Sequence, residues 1–166
     1  RTFHDISDYI AINISSPNTE NLRDFHDQIK LEELISSIEQ EKKKLKSKTP
    51  IVVKISPDIS KEQATQISQI LLKHEIEGII VSNTTEGNRE KLQSTSKHQK
   101  GGLSGKPLET ISNQLINIFY NLLKGKIEII GVGGVDSGKS AYDKLLAGAN
   151  FIQLYTGMVY QGPNIV

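Results

Sequence analysis

Cysteine is absent from this chain of 166 residues, and long apolar runs are absent as well. The lack of cysteine excludes disulfides, thiolate metal sites and a cysteine nucleophile. No apolar stretch approaches the roughly 20 residues that a helix needs to span a bilayer, and the N-terminus does not have the pattern of a signal peptide. We therefore expect the chain itself to be soluble.

An excess of charge of either sign is also missing. Lysine and arginine total 20 against 19 acidic residues, so the formal net charge is +1. This balance gives no electrostatic reason to expect a nucleic-acid partner. The four histidines are scattered without metal-ligand spacing, so no metal site is predicted. Length and an apolar content of 36% fit one globular domain over residues 1–166.

Two periodicities alternate along the chain. Short apolar runs rich in β-branched residues predict buried parallel strands; they are Tyr9–Ile14, Ile51–Ile55, Gly78–Val81, Ile127–Val132 and Phe151–Tyr155. Between them, apolar residues at three- and four-residue spacing predict four helices. Ser60 and Gln63 form a capping box at the start of the second helix. The fourth begins near Ser137, with Ala141, Leu145 and Leu146 as its apolar residues.

The residues that follow these strands distinguish two parallel α/β architectures. An open doubly wound sheet needs ligand chemistry only at its switch point, whereas here polar residues or glycines follow every strand. A ring of strands that converges on one site explains this better. The predicted fold is therefore α/β, a partial (β/α)8 TIM barrel with five strands and four helices present and about three strands upstream.

Lys54 and the glycines near residue 133 stand out as candidate site residues. Lys54 interrupts an apolar strand, where a buried charge is costly unless it is paired; a strand-end lysine that reaches solvent is the alternative. Gly133 and Gly134 allow close backbone approach before a helix start, which suits a phosphate group. The long polar segment from Glu86 to Gly102 is the kind of loop that is often functional.

A competing motif overlaps these glycines. Residues 133–140 read GGVDSGKS, a literal match to the P-loop pattern of nucleotide hydrolases, after a strand and before a helix. Only one predicted strand follows it, however, and no apolar strand ends directly in an aspartate that could hold Mg²⁺. A P-loop NTPase at Gly133–Ser140 therefore remains a minor alternative.

Six segments together resemble class 2 dihydroorotate dehydrogenases, in order and over nearly the whole chain. They are Asn13–Thr19 (NISSPNT), Val53–Asp58 (VKISPD), Ser82–Thr85 (SNTT), Gly101–Gly105 (GGLSG), Gly131–Gly134 (GVGG) and Gln153–Gly157 (QLYTG). Each segment alone is weak, but six in register are specific. The resemblance implies oxidation of dihydroorotate to orotate through FMN, with a quinone as electron acceptor, in pyrimidine (UMP) biosynthesis.

The same resemblance implies a role for individual residues. Ser16 matches the catalytic base. The substrate-binding positions are Asn13, Asn18, Asn83 and Thr84, whose amides and hydroxyl suit a pyrimidine dione. The FMN-binding positions are Lys54, Ser82, Gly105, Gly133, Gly134, Tyr155 and Thr156. Read without the resemblance, Ser15-Ser16-Pro17 is a strand-terminating turn.

The chain departs from the family in two respects. Glu20-Asn21-Leu22-Arg23 replaces the usual Pro-Gly-Leu-Arg, which puts the geometry of the substrate lid in doubt. The family's early barrel strands and its N-terminal helices, which form the quinone entrance and contact the inner membrane peripherally, are not among the segments matched. An inactive barrel remnant that at most binds a phosphate compound is therefore the main alternative function.

Overall fold

The computed structural model describes residues 1–19 and 21–166, so Glu20 of the departing loop lies outside the described residues. Five parallel strands form one sheet: β1 (Ile10–Asn13), β2 (Ile51–Lys54), β3 (Gly78–Val81), β4 (Glu128–Val132) and β5 (Phe151–Gln153). Their spatial order is the chain order. All five predicted strands are therefore confirmed, with ends that differ by two residues at most.

Helices alternate with these strands: α1 (Gln28–Leu45), α2 (Lys61–Lys73), α3 (Glu109–Leu123), α4 (Gly138–Leu146) and a short α5 (Thr156–Gln161). A capping box begins α2 at Ser60, as predicted, and a second one begins α4 at Ser137, where the sequence predicts only the start of the helix. The one helix that the pattern did not predict is α5. Single 3₁₀ turns also occur at Leu22–His26, Thr95–His98, Lys106–Leu108 and Pro163–Ile165.

One helix face differs from its prediction. Leu145 and Leu146 of α4 are 45% and 67% exposed, whereas Ser140 and Lys144 of the same helix are buried. The apolar spacing therefore predicts the wrong buried face for α4. Its buried face contacts α3 through Lys144, which donates to a hydroxyl and an amide group and not to an apolar surface.

The apolar residues divide between the two faces of the sheet, because side chains alternate along each strand. The larger cluster lies between the sheet and α1–α3 and includes Val53, Ile79 and Ile129. A smaller cluster on the other face contains Val52, Ile80 and Ile130, with Val132 packed against it. In a TIM barrel, one face of the sheet packs against the outer helices and the other face points into the barrel interior. The larger and the smaller cluster correspond to these two faces, respectively.

The outer strands of the sheet approach each other. β1 and β5 each pair with one neighbour, yet Gln153 Nε2 at the end of β5 donates to the Tyr9 hydroxyl, just before β1, at 3.0 Å. The sheet is therefore strongly curved, and the molecule is a partial barrel, as predicted. Among the described residues, no helix is long and apolar enough to cross a membrane.

Candidate functional site

A cavity of about 230 Å³ lies at the carboxyl ends of β2–β5. Nine of the twelve predicted site residues line it: Lys54, Ser82, Asn83, Thr84, Gly105, Gly133, Gly134, Tyr155 and Thr156. Parallel strands bring their carboxyl ends to the same edge, so loops that are far apart in sequence meet there. Asn13, the last residue of β1, and Ser16 and Asn18 on the adjoining loop do not line this cavity.

A small polar network links that loop to the cavity wall. Asn83 Nδ2 donates to Ser15 Oγ at 3.0 Å and to Asn13 Oδ1 at 3.3 Å. Ser15 Oγ donates to Asn13 Oδ1 at 2.9 Å, and Thr84 N donates to Asn83 Oδ1 at 2.8 Å. The amides of Asn13 and Asn83 are therefore held in fixed orientations, which suits recognition of a planar ligand with alternating donors and acceptors.

Ser16 lies in the loop that connects β1 to α1. Its hydroxyl oxygen accepts hydrogen bonds from Asn18 N at 3.2 Å and Thr19 Oγ1 at 3.4 Å. Among the hydrogen bonds of the described residues, none uses the Ser16 proton. The hydroxyl therefore has a fixed oxygen and a proton that is free to face a ligand.

Packing against glycines holds this loop beside the cavity. A Cβ at Gly102 would meet Thr84 Oγ1 at 1.8 Å and Pro17 Cγ at 3.1 Å. The side chain of Asn18 lies beside Gly101, where the corresponding distance from its Oδ1 is 3.7 Å. Only a residue without a side chain fits at position 102, and this close approach joins the serine loop to the Gly101–Gly105 segment.

Lys54 ends β2 and pairs in register with Asn13 of β1 and Ile80 of β3. It is half-buried, and burial lowers the pKa of its ammonium below the usual 10.5. No ion pair or hydrogen bond formed by the described residues uses this ammonium. An unpaired cation on a cavity wall is poised to interact with an anionic or electron-rich ligand.

Gly133 and Gly134 follow β4 with φ of 113° and 77°, a conformation that favours glycine. A Cβ at Gly133 would meet Leu108 Cδ2 at 2.8 Å, and one at Gly134 would meet the Glu109 backbone nitrogen at 2.8 Å. The glycines are thus required by left-handed backbone and by packing against α3. Close approach of their backbone to a phosphate, which the sequence predicts, stays a prediction.

The loop before α3 meets the end of β5 on the far wall. A Cβ at Gly105 would lie 3.0 Å from Thr156 Cγ2, and Thr156 Oγ1 donates to Ser104 Oγ at 2.9 Å. Tyr155 is 78% exposed although its backbone borders the cavity. This wall offers hydroxyl groups and backbone atoms, with no carboxylate among its lining residues.

Two residues outside the predicted set anchor the serine loop. Arg23 Nη1 donates to Glu86 Oε2 at 2.8 Å and lies 3.2 Å from Asp58 Oδ2, so it ties this loop to those after β2 and β3. The buried His26 accepts a hydrogen bond at Nε2 from Ser56 N at 3.2 Å. Its Nδ1 must then carry the proton and donate to Arg23 O at 2.9 Å.

Arg89 organises the long loop between β3 and α3. Its guanidinium donates to the carbonyls of Lys97 at 3.2 Å and Gln99 at 2.9 Å, and it also contacts the Gly101 carbonyl. Thr85 and Leu103 pair at the base of the loop through two backbone hydrogen bonds. One arginine thus fixes a polar loop that has little apolar packing, a function that residue type alone did not reveal.

The geometry of α4 does not support the P-loop alternative. Lys139, the lysine of the motif, is 82% exposed at its side chain and pairs with Asp143 at 2.6 Å. Ser140 Oγ is occupied by Asp136 and Ser137. Neither Lys139 nor Ser140 lines the cavity, whereas a P-loop directs both residues at the phosphates and their metal.

The lining residues that were not singled out from the sequence are mostly apolar or glycine: Ser104, Leu108, Val132, Val135, Leu154 and Gly157. Ser104 and Gly157 fall inside segments that carried the family resemblance, so proximity to a matched position was their only signal. No group of acidic and histidine residues suited to a metal ion occurs in the described part of the chain.

Comparison with known proteins identifies the family. The dihydroorotate dehydrogenase family model matches residues 1–166. The quinone-type dihydroorotate dehydrogenase of Buchnera aphidicola is 47% identical over 162 residues, which cover 95% of this chain and 48% of that protein. The mitochondrial quinone-type enzyme of Mus musculus is 42% identical over 163 residues, which cover 97% and 41%. The chain spans about half the length of these relatives.

A solved structure agrees with both fold and family. Ligand-free dihydroorotate dehydrogenase from Eimeria tenella superposes with a TM-score of 0.95 at 35% identity, over 99% of this chain and 50% of that one. The same parasite enzyme in complex with ferulenol superposes with a TM-score of 0.93. With the family model matched from end to end, this chain belongs to the dihydroorotate dehydrogenase family.

Proposed function

We propose that the protein carrying this chain oxidises (S)-dihydroorotate to orotate, with FMN as cofactor and a quinone as electron acceptor, in pyrimidine biosynthesis. The observation that carries the proposal is that nine of the twelve residues assigned by resemblance line one cavity at the carboxyl ends of the strands. Names of relatives in bacteria and in mouse mitochondria support the quinone as acceptor. By the same analogy the activity belongs at the inner membrane.

The donor set of the cavity fits FMN. The Lys54 ammonium, which forms no ion pair among the described residues, suits the electron-rich edge of a flavin ring. The Ser82 and Thr156 hydroxyls with the Gly133–Gly134 backbone suit polar and phosphate groups. Among the described residues, no carboxylate lines the cavity to repel a phosphate. When bound, FMN would supply the hydride acceptor.

Each polar residue then has a task that follows from its geometry. Asn13 and Asn83, already oriented by mutual hydrogen bonds, hold the pyrimidine dione together with Asn18 and Thr84. Ser16 would accept the proton from C5 of the substrate and pass its own hydroxyl proton toward solvent, while the hydride leaves C6 for the bound flavin. Because a serine is a weak base, it depends on a dry, oriented site and a route for the proton. Lys54 would place a positive charge beside the flavin, where it would favour the negative charge of the reduced ring.

The visible absorption spectrum of the purified protein, recorded without oxygen before and after dihydroorotate is added, tests this proposal. We expect a flavin spectrum that bleaches on addition. In Ser16→Ala the spectrum should remain but bleach far more slowly, by about 10² to 10⁴-fold, the usual contribution of a positioned base. Ser36→Ala on α1, remote from the cavity, is the matched control and should bleach normally.

The alternative of an inactive barrel remnant that at most binds a phosphate compound predicts a different result. The same spectrum separates the two. A colourless protein that FMN cannot reconstitute would leave the family membership intact and contradict the proposed activity.

A further inference from the structure

Lys144 of α4 is a lysine whose surroundings are unusual. It is fully buried, at 0% exposure, and none of the ion pairs formed by the described residues involves it. Its ammonium donates to two neutral acceptors on α3, Ser112 Oγ at 3.0 Å and Asn113 Oδ1 at 2.9 Å. Burial of an ion without a counter-charge is costly, so this lysine requires an explanation other than stability.

The charge of Lys144 persists in spite of its burial. Burial lowers the pKa of the ammonium from its ordinary 10.5 to about 8, opposed by the carboxylate of Glu109. At neutral pH the ammonium is therefore mostly protonated and can only donate hydrogen bonds. Ser112 Oγ must accept from it, which leaves the single Ser112 proton for another partner.

That partner is the strand end that leads into the cavity. Ser112 Oγ donates to the Val132 carbonyl at 2.7 Å, the same carbonyl that accepts from Ser82 N at 3.1 Å. Ser112 also packs behind the next residue, since a Cβ at Gly133 would lie 3.4 Å from Ser112 Cβ. The contacts run without a break from Lys144 through Ser112 to Val132 and Gly133, and the last two line the cavity.

We propose that Lys144 is a positioning residue for the cofactor phosphate: it orients Ser112, and Ser112 fixes the Val132–Gly134 segment that holds the phosphate. The lysine acts from behind the cavity wall and touches neither substrate nor cofactor. This inference rests on the proposed function, because it assigns the phosphate of FMN to the Gly133–Gly134 loop.

Lys144→Met tests the inference, because methionine fills a similar volume without a buried charge and should allow folding. Affinities for FMN and riboflavin are measured by flavin fluorescence on the apoprotein of the complete protein. We expect FMN binding to weaken roughly tenfold, the scale of one lost charged hydrogen bond, while riboflavin binding stays unchanged. Lys139→Met, on the same helix but exposed, is the matched control and should change neither affinity.

A second variant tests the route. If Lys144 acts through Ser112, then Ser112→Ala should also weaken FMN binding, and the double variant should be no worse than the more affected single one. Ser112→Ala also provides the test should the methionine variant fail to fold. Additive losses, equal losses of FMN and riboflavin, or unchanged FMN affinity in Lys144→Met would each overturn the inference.

A measurement without flavin separates this inference from the proposed function. Hydrogen exchange at the Gly133 and Gly134 amides should accelerate in Lys144→Met and not in Lys139→Met, since only the first loosens the loop. If the unsubstituted protein binds neither flavin, the cofactor assignment fails. The exchange rates then still decide whether Lys144 orders the loop, and unchanged rates would refute that as well.

Discussion

At the scale of single residues, Lys54 offers the sharpest test of the chemistry. In Lys54→Met we expect thermal stability to be equal or higher, because no ion pair formed by the described residues is lost and a half-buried charge is removed. Reduction of the flavin by dihydroorotate should slow by about 10²-fold or more, because charge stabilisation at the reacting centre disappears. Stopped-flow absorbance measures the rate; Lys61→Met, exposed at the start of α2, should leave it unchanged.

His26 makes the serine loop sensitive to acid. Burial is the main cause that lowers its pKa below the ordinary 6.5, and the hydrogen bond to the Arg23 carbonyl opposes it. The neutral ring therefore contributes stability above about pH 6.5. That contribution is lost as the pH falls toward the folded-state pKa. Protonation of the folded protein is unfavourable, because the second ring proton would face the Ser56 N–H. We expect the free energy of unfolding to fall less steeply between pH 7 and 5 in His26→Gln.

His74 is a control for His26, because its pKa shift changes the stability with pH in the opposite direction. Hydrogen bonds with Glu32 and then Glu39 raise its pKa, so its contribution is present below pH 6.5 and is lost as the pH rises through the folded-state pKa. In denaturant unfolding measured from pH 5 to 9, His26→Gln should therefore reduce the loss of stability below pH 6.5, and His74→Gln should reduce the loss of stability above pH 6.5. Equal responses would contradict the assignment of a neutral, buried His26.

Site residues differ in how far the sequence could predict them. Lys54 stands out from the sequence because a charge at the end of an apolar strand is unusual, whereas Asn13 is assigned by the family resemblance; both roles stay predictions. Lys144 was missed because a lysine on a helix is ordinarily solvated, and its burial depends on a hydroxyl 32 residues away. Arg23 was missed because its partner Glu86 lies on another loop, and Arg89 because its partners are backbone carbonyls of its own loop, which residue types do not reveal.

At the scale of secondary-structure elements, the sheet was predictable and one helix face was not. Every strand is a short apolar run rich in β-branched residues, so composition alone identifies it, although only β2, β3 and most of β4 are buried while β1 and β5 are partly exposed. Helix α4 contacts α3 through Lys144, while the buried Ser140 contacts Asp136 and Ser137. A rule that places apolar residues inward fails where polar interactions decide the orientation. With only six residues, α5 is too short for a periodicity to be recognised.

The loop between β3 and α3 depends on Arg89. In Arg89→Met we expect residues 91–100 to be cleaved faster by trypsin under native conditions, because the guanidinium that binds carbonyls of this segment is gone. Limited proteolysis followed by mass spectrometry locates the cuts. Arg1→Met, which removes only the exposed pair with Glu41, should leave the cleavage pattern and rate of this loop as they were.

At the scale of the whole molecule, β1 and β5 each pair with one neighbour and leave their outer edges unpaired among the described residues. Phe151, at the start of β5, is 56% exposed on such an edge, and exposed strand edges promote association. We expect the 166-residue chain alone to associate with rising concentration and Phe151→Lys to shift it toward monomer. Light scattering after size exclusion measures the mass; Ile29→Lys, equally exposed on α1, should have no such effect.

The agreement between strand order and chain order also bears on how the protein is made. Each strand after the first pairs with the strand synthesised just before it, and no strand in this sheet must wait for a later one as its first partner. As the chain leaves the ribosome, β2 can dock on β1, and β3 on β2, while the remainder is still being translated. The site at the carboxyl ends then assembles last, when the Gln153–Gly157 segment emerges and closes the cavity around residues that are already in place.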